Sequence, residues 1–327
     1  MSRTPWRYSN GLHCVGDGVY AYLQPDGGWG WSNAGLIEHG GESLLVDTLF
    51  DEHLTAGMLA DIRCATGLGA GDIGTVVNTH ANGDHTHGNA LLDRATIIAS
   101  QASAMEMAEI TPQTLAGMMR SAAQMGATGN YLARIFGDFD FEAVRGRLPT
   151  RTFDGQLALT VGDLEVRLEE VGPAHTAGDV ILHVPARGLL FTGDILFIDS
   201  TPIIWSGPVS NWIRACDRIL QLEADVIVPG HGPITDEAGV KAVRDYLGYI
   251  DREARRRFEA GLDVFEAALD IALGDYDSWG DAERIAANVD ALYCEYRGGA
   301  PVDAPRRFEL MARIDKERRA RAAGPRR

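Results

Sequence analysis

The chain has 327 residues, a net charge of −16 and an apolar fraction of 45%. This composition is typical of a globular protein, and no apolar run approaches the ~20 residues needed to span a membrane. The acidic balance disfavours nucleic acid as a partner, because phosphate contacts require clustered Lys and Arg side chains. Residues 1–6 lack the apolar run of a signal peptide, so we expect a cytoplasmic protein that binds neither a membrane nor a nucleic acid.

Strand-like apolar runs separated by Gly-rich turns recur along most of the chain. In the first half we predict one helix over 51–66 and strands over 18–23, 34–38, 42–48, 74–77 and 95–99. In the second half we predict one helix over 212–222 and strands over 157–161, 164–170, 180–184, 188–192 and 226–228. Periodicity by itself therefore indicates only an α/β or α+β protein with a mixed sheet.

Residues 100–151 form a predominantly helical insertion between these two groups of strands. The insertion contains five of the eight methionines, namely Met105, Met107, Met118, Met119 and Met125. Methionine is flexible and polarisable, which suits an apolar surface that adapts to different partners. The insertion is therefore either a lid that contacts substrate through Met118 and Met119, or a set of helices that simply packs on the core.

Residues 236–327 have apolar positions at helical spacing and predict a helical C-terminal extension. Such an extension either joins two copies of the chain in a homodimer or covers the substrate cleft. Its last part, residues 306–327, has nine basic and three acidic residues, in contrast to the acidic remainder of the chain. We expect this basic tail to be a solvated helix end.

The segment Thr-His-Ala-Asn-Gly-Asp-His-Thr-His-Gly-Asn at 79–89 directly follows the predicted strand at 74–77. Its candidate metal ligands are His80, Asn82, Asp84 and His85. Loops at the carboxyl ends of strands usually carry the chemistry of an α/β sheet. Imidazole and carboxylate side chains at this spacing indicate a site for zinc or a similar metal.

This pattern resembles the His-x-His-x-Asp-His motif of metallo-β-lactamase-fold hydrolases, with Asn82 at a position that normally holds histidine. Four further segments match the family in order, namely Leu-Leu-Val-Asp-Thr at 44–48, Pro-Ala-His-Thr-Ala-Gly-Asp at 173–179, Leu-Phe-Thr-Gly-Asp at 190–194 and Val-Pro-Gly-His-Gly at 228–232. The resemblance implies an αββα sandwich with metals at one edge. It places the catalytic domain in residues 1–235 and leaves 236–327 as the helical extension.

The resemblance also implies two metal sites. The first would use His80, Asn82 and His175, the second would use Asp84, His85 and His231, and Asp194 would bridge them. The amide oxygen of Asn82 is a poorer zinc ligand than imidazole, so we expect the second site to be the tighter one. The first site would then be empty, weakly occupied or filled by iron or manganese.

Two further residues are candidates for supporting the ligands, namely Asp47 in the motif at 44–48 and His87, two residues after His85. The resemblance implies that Asp47 braces the metal loop through hydrogen bonds. His87 would support the site from behind the ligands or lie at the surface.

The resemblance implies a metal-dependent hydrolase that holds one or two zinc ions. A metal-bound hydroxide would attack a small, apolar ester, thioester, lactone or amide, with Asp84 and Asp194 as the catalytic carboxylates. An iron-dependent oxygenase or sulfur dioxygenase on the same fold is the alternative. Three tryptophans lie in loops that border the family's cleft, so Trp29, Trp31 and Trp205 are either substrate contacts or ordinary packing residues.

Overall fold

The computed structural model describes residues 6–299 and 303–322. Residues 1–5, which enter the prediction of location, and residues 323–327 of the basic tail lie outside this part. Seven strands form the first sheet in chain order: β1 (Gly11–Gly16), β2 (Val19–Leu23), β3 (Ala34–His39), β4 (Glu42–Val46), β5 (Thr75–Val77), β6 (Thr96–Ser100) and β7 (Arg151–Phe153). Neighbours are antiparallel from β1 to β4 and parallel from β4 to β7.

The second sheet has five strands. They are β8 (Gln156–Val161), β9 (Leu164–Glu170), β10 (Val180–Val184), β11 (Leu189–Phe191) and β12 (Val226–Val228). The spatial order is β12-β11-β10-β9-β8, and only the β11–β12 pair is parallel.

The helices flank these sheets and fill the insertion and the extension. They are α1 (Glu52–Thr66), α2 (Gly83–Thr86), α3 (Gln101–Glu109), α4 (Pro112–Ser121), α5 (Gly126–Phe136), α6 (Val209–Gln221), α7 (Glu237–Glu259), α8 (Val264–Asp270), α9 (Ile285–Tyr296) and α10 (Ala304–Ala322). Within the described part of the chain, no helix is both long and apolar enough to cross a membrane.

Three apolar clusters define four layers. Val46 of the first sheet and Phe191 of the second belong to the cluster between the sheets. On the outer face of the first sheet, Leu45 packs with Met58 of α1. On the outer face of the second sheet, Leu190 lies in one cluster with the helices that follow it. The predicted αββα sandwich is therefore confirmed, since each sheet buries one face against the other sheet and one against helices.

Several predicted boundaries are wrong for local physical reasons. The strand predicted to reach Thr48 ends at Val46, because Asp47 adopts a left-handed backbone with a φ of 62°. Helix α6 begins at Val209, three residues before the predicted Trp212. Strands β1 and β7 were not predicted, because β1 has a mixed pattern of exposure and β7 has only three residues.

The insertion leaves and re-enters the first sheet at adjacent strands. It follows β6 and returns at β7, which pairs with β6 in parallel. Helices α3, α4 and α5 occupy its first part, and residues 137–150 contain no regular helix or strand. Helix α10 packs on both α5 and α9, so the insertion and the extension contact each other.

The prediction of a solvated basic tail is wrong at Arg307. This side chain is only 2% exposed and forms an ion pair with Asp290, at 3.1 Å between Nε and Oδ2. Charged side chains are rarely buried without a partner. The first turn of α10 is therefore part of the folded core rather than a solvated end.

Candidate metal centre

The candidate ligands meet because the strands that carry them end at one edge of the sandwich. His80 follows β5, Asp194 follows β11 and His231 follows β12. His175 precedes β10, whose antiparallel pairing with β11 brings its first residue to the same edge. The two sheets are joined at this edge by a hydrogen bond in which the Val180 amide donates to the carbonyl of the residue before His80, at 2.8 Å.

Asp194 lies at the middle of four imidazole rings. Its Oδ1 is 3.1 Å from Nε2 of His85, and its Oδ2 is 3.2 Å from Nε2 of His175. The same Oδ2 is 3.5 Å from Nε2 of His231 and 3.7 Å from Nε2 of His80. All five side chains are buried, so the carboxylate faces nitrogen atoms rather than solvent.

Asp84 and Asn82 complete the set. Oδ2 of Asp84 is 3.3 Å from Nε2 of His231 and 3.9 Å from Nε2 of His85. The side-chain amide nitrogen of Asn82 is 3.0 Å from Nε2 of His175. The structure thus brings together the seven residues that the sequence proposed as ligands.

The four histidines share one orientation. Each Nδ1 lies near an oxygen, which is Thr79 Oγ1 for His80 (3.0 Å), Asp47 Oδ2 for His85 (2.9 Å), Ile203 O for His175 (2.8 Å) and Gly27 O for His231 (3.1 Å). A proton on Nδ1 leaves the lone pair on Nε2, which is the atom that faces Asp194. The surrounding oxygens therefore select the tautomer that can bind a metal.

Buried polar atoms that lack a hydrogen-bond partner indicate whether the site suits a metal ion. Nε2 of His80, Nε2 of His85 and Oδ1 of Asp194 are buried and have no hydrogen-bond partner among the described residues. Each such orphan costs about 1–3 kcal/mol. Because these atoms converge and are all potential ligands, a divalent cation would satisfy them together. The donor set therefore fits one or two metal ions.

The pKa values of the candidate histidines also favour a bound cation. Burial lowers the pKa of His175 to about 4 and holds that of His80 well below its ordinary value, so both rings are neutral. Burial also acts to lower the pKa of His231, but Asp194 and Asp84 outweigh it and raise this pKa to about 9. The carboxylates that attract this proton would also attract a metal ion, and metal binding would displace the proton.

Asp47 connects the first sheet to the metal loop. Its Oδ1 accepts a hydrogen bond from the Thr79 amide, at 2.7 Å. Its Oδ2 accepts from the Thr79 hydroxyl, at 2.7 Å, and lies 2.9 Å from Nδ1 of His85. This buried carboxylate holds the loop by hydrogen bonds and orients the ring of His85, one candidate ligand.

The alternative that His87 lies at the surface is wrong. Its side chain is buried, its Nδ1 is 3.1 Å from the Phe50 carbonyl, and its ring stacks on Phe50 with centroids 5.6 Å apart. A Cβ at Gly83 would lie 2.4 Å from this ring, so any larger residue between Asn82 and Asp84 would displace the ring or the turn. His87 therefore packs directly against the turn that carries these two candidate ligands.

Asp179 ends the motif at 173–179, and the sequence alone indicated no role for it. Its carboxylate accepts hydrogen bonds from the Ala174 amide at 3.1 Å, the Thr176 amide at 3.0 Å and the Thr176 hydroxyl at 2.7 Å. These bonds close the loop that carries His175. Its position four residues after His175 in the same motif is the sequence signal that could have indicated this role.

The three tryptophans lie near the ligand loops and are half-buried. The amide of Trp205 donates to the His175 carbonyl, at 3.0 Å. Trp29 stands two residues after Gly27, and its ring contacts that of Trp205 with centroids 6.4 Å apart. Trp31 packs against Phe139, which follows α5. Met118 and Met119 of α4 are half-buried and, like the three tryptophans, pack on the apolar cluster on the outer face of the second sheet.

Comparison with known proteins identifies the family. The model of the metallo-beta-lactamase superfamily matches residues 27–231, and the chain belongs to this superfamily. The match covers every candidate ligand and both sheets except β1 and β2. The recognition made from the sequence motifs is therefore confirmed.

Three known proteins are similar to this chain. The acyl-coenzyme A thioesterase MBLAC2 of Bos taurus is 25% identical over 61% of this chain and 72% of its own length. The 2,4-dinitroanisole O-demethylase subunit alpha of Nocardioides sp. is 29% identical over 44% of this chain and 38% of its own length. The solved sec-alkylsulfatase Pisa1 from Pseudomonas sp. has a TM-score of 0.66 and 17% identity over 88% of this chain.

The alkylsulfatase likeness concerns the fold alone, and this chain spans half of that protein's length. The thioesterase is a hydrolase by name, and so is a curated linear primary-alkylsulfatase of Pseudomonas sp., which is 24% identical over 47% of this chain and 33% of its own length. The prediction of a metallo-β-lactamase-fold hydrolase is therefore confirmed at the level of the class.

Proposed function

We propose that the protein is a metal-dependent hydrolase that cleaves a small apolar thioester or ester. The observation that carries this proposal is the buried convergence of unpartnered imidazole and carboxylate atoms around Asp194. The bovine relative is named as an acyl-coenzyme A thioesterase, which makes a thioester the first substrate class to test. Lactones and amides present the same type of electrophilic carbonyl and stay in the test set.

His80, Asn82, His175 and Asp194 would hold the first metal, and Asp84, His85, His231 and Asp194 would hold the second. Held by these residues, a metal would supply a coordinated water with a pKa near ~7 and a Lewis acid for the substrate carbonyl. Zinc is our first choice, with iron or manganese as the alternatives.

Asp84 and Asp194 would have different tasks. The side chain of Asp84 is 12% exposed and that of Asp194 is 3% exposed. Burial acts to raise the pKa of Asp84, but His85 and His231 outweigh it and hold this pKa below its usual range. The carboxylate is therefore ionised, and as the more exposed of the two it would orient the attacking water and accept its proton. Asp194 would fix the spacing of the histidines.

Replacing Asn82 with histidine is expected to raise the metal content toward two ions per chain. In the wild type, the Asn82 amide N–H donates to Nε2 of His175 and occupies the lone pair that a first metal would need. Elemental analysis of dialysed protein measures the change. Asn82→Ala is the matched control, because it frees His175 without adding a ligand. Two tightly held ions in the wild type, unchanged in Asn82→His, would show that the weak-site argument is wrong.

A substrate screen separates the proposed function from the iron-redox alternative. Purified protein loaded with zinc and assayed without oxygen would be compared with protein loaded with iron and assayed with oxygen, on acyl thioesters, carboxylate esters, lactones, amides and alkyl sulfates. We expect thioester or ester hydrolysis, because that chemistry needs only water and a polarised carbonyl. Turnover that requires iron and oxygen would overturn the hydrolase proposal, and turnover of sulfates alone would replace its substrate class.

We propose that Trp29, Trp31, Trp205, Met118 and Met119 form the apolar wall of the substrate site. Changing Met118 and Met119 together to glutamine is expected to raise KM for an apolar substrate about tenfold, because apolar contact area is lost. The metal content should stay the same. Met105→Gln is the control, since Met105 is 59% exposed on the same insertion. An unchanged KM in the double variant would leave these methionines as packing residues.

The cytoplasmic location, the domain boundary at residue 235 and a homodimer remain predictions from the sequence. Size-exclusion chromatography with light scattering measures the last of these. A monomer at all concentrations tested would exclude the dimer. The extension would then act only within its own chain.

A further inference from the structure

Residues 201–206, here called the strap, hold one candidate ligand in two ways. The carbonyl of Ile203 accepts the Nδ1 hydrogen of His175, at 2.8 Å. The amides of Trp205 and Ser206 both donate to the His175 carbonyl, at 3.0 Å. The strap therefore sets both the ring tautomer and the backbone position of His175.

Side chains of the C-terminal extension hold the strap in turn. Oδ1 of Asn288 accepts from the Ile204 amide at 2.9 Å, and its Nδ2 donates to the Pro202 carbonyl at 2.8 Å. One guanidinium nitrogen of Arg307 donates to the carbonyls of Ile204 and Trp205, at 2.8 and 2.9 Å. These contacts lie on both sides of Ile203, so they fix the carbonyl that binds the His175 ring.

Both side chains are built into the core. Asn288 is fully buried and Arg307 is 2% exposed. The charge of Arg307 is balanced by Asp290, which is itself 4% exposed. A buried guanidinium is tolerated only when it is paired and hydrogen-bonded, so its place between the extension and the strap is tightly specified.

We propose that Asn288 and Arg307 are positioning residues of the metal centre, acting on His175 through the strap. The inference rests on the proposed metal centre and deepens it. Partners that orient a ligating histidine typically change metal affinity by about 10–100-fold when they are removed. The extension thereby contributes to ligand geometry from residues more than a hundred positions away from His175 in the chain.

The effect should be selective for the first metal site. His175 belongs to that site, and its Nδ1 acceptor lies in the strap. His231 belongs to the second site, and its Nδ1 acceptor is the Gly27 carbonyl, which lies in a different loop. Loosening the strap should therefore weaken one binding step and leave the other unchanged.

Cobalt(II) titration of the metal-free, full-length protein, followed by visible absorption, tests the proposal. In Arg307→Met we expect the weaker binding step to lose about 10–100-fold in affinity while the stronger step is unchanged. Arg306→Met is the matched control. Arg306 also pairs with Asp290, at 3.2 Å, but its side chain is 53% exposed and makes no bond to the strap among the described contacts. This control should titrate like the wild type.

Asn288→Ser is the second variant, because it shortens the side chain without adding a buried charge. It should reproduce the selective loss, and it decides the question if Arg307→Met does not fold. Wild-type affinity in both variants would overturn the inference and leave the metal centre intact. An equal loss in the Arg306→Met control would also overturn it, since the effect would then be general. A wild-type protein that binds no cobalt would instead refute the proposed metal centre.

Discussion

Replacing Asp84 with alanine is expected to lower kcat by roughly 10²–10⁴-fold while the protein stays folded. The substitution removes a candidate metal ligand that lies 3.3 Å from Nε2 of His231. It also removes the more exposed of the two central carboxylates, to which we assign contact with the attacking water. Activity on the best substrate from the screen, compared at equal metal content, measures the loss.

Asp163→Ala is the control for this experiment. The Asp163 side chain is 92% exposed and pairs with His39, away from the ligands. Exposed pairs of this kind contribute little to stability, so the control should keep full activity. If Asp84→Ala retained wild-type kcat, Asp84 would have no catalytic role and the proton-acceptor argument would be wrong.

Removing the metal is expected to lower Tm by roughly 6 °C. A ligand present at a thousandfold excess over its Kd stabilises the folded state by about 4 kcal/mol, and each kcal/mol shifts the Tm of a chain of 327 residues by about 1.5 °C. In this protein the loss leaves unpartnered atoms of His80, His85 and Asp194 buried together. Thermal unfolding with and without a chelator measures the shift.

The chelator already saturated with zinc is the control, because it cannot extract the ion. It should leave Tm unchanged. Equal Tm values in the chelated and untreated protein, with elemental analysis showing that the metal was removed, would contradict the expected coupling between metal binding and folding.

The strands that form the core were accessible from the sequence because apolar runs are a local property. Val76 and Val77 of β5 and Leu189 to Phe191 of β11 are buried on the faces that their apolar character requires. Strands β1 and β7 were missed because neither is a continuous apolar run of useful length. Their place in the sheet depends on pairing with β2 and β6, which is not a local property.

The candidate ligands could be proposed from the sequence because each stands in a short motif at a strand end. The partners that orient them could not be proposed so readily. The Ile203 and Gly27 carbonyls are backbone atoms, which carry no side-chain signal. The burial of His87 against Phe50 likewise depends on the fold of a loop far away in sequence.

The sequence by itself determined the superfamily, the sandwich architecture and the proposed metal chemistry through five short motifs that resemble those of a known superfamily, whereas apolar patterning indicated only a mixed α/β or α+β protein. Only the tertiary structure decided how Asn82 meets His175 and where Arg307 is buried. Asn82 and His175 are 93 residues apart in the chain. Arg307 and Trp205, which it contacts, are 102 residues apart. Composition and periodicity describe each segment alone, so neither one reports which distant segment a buried side chain will face.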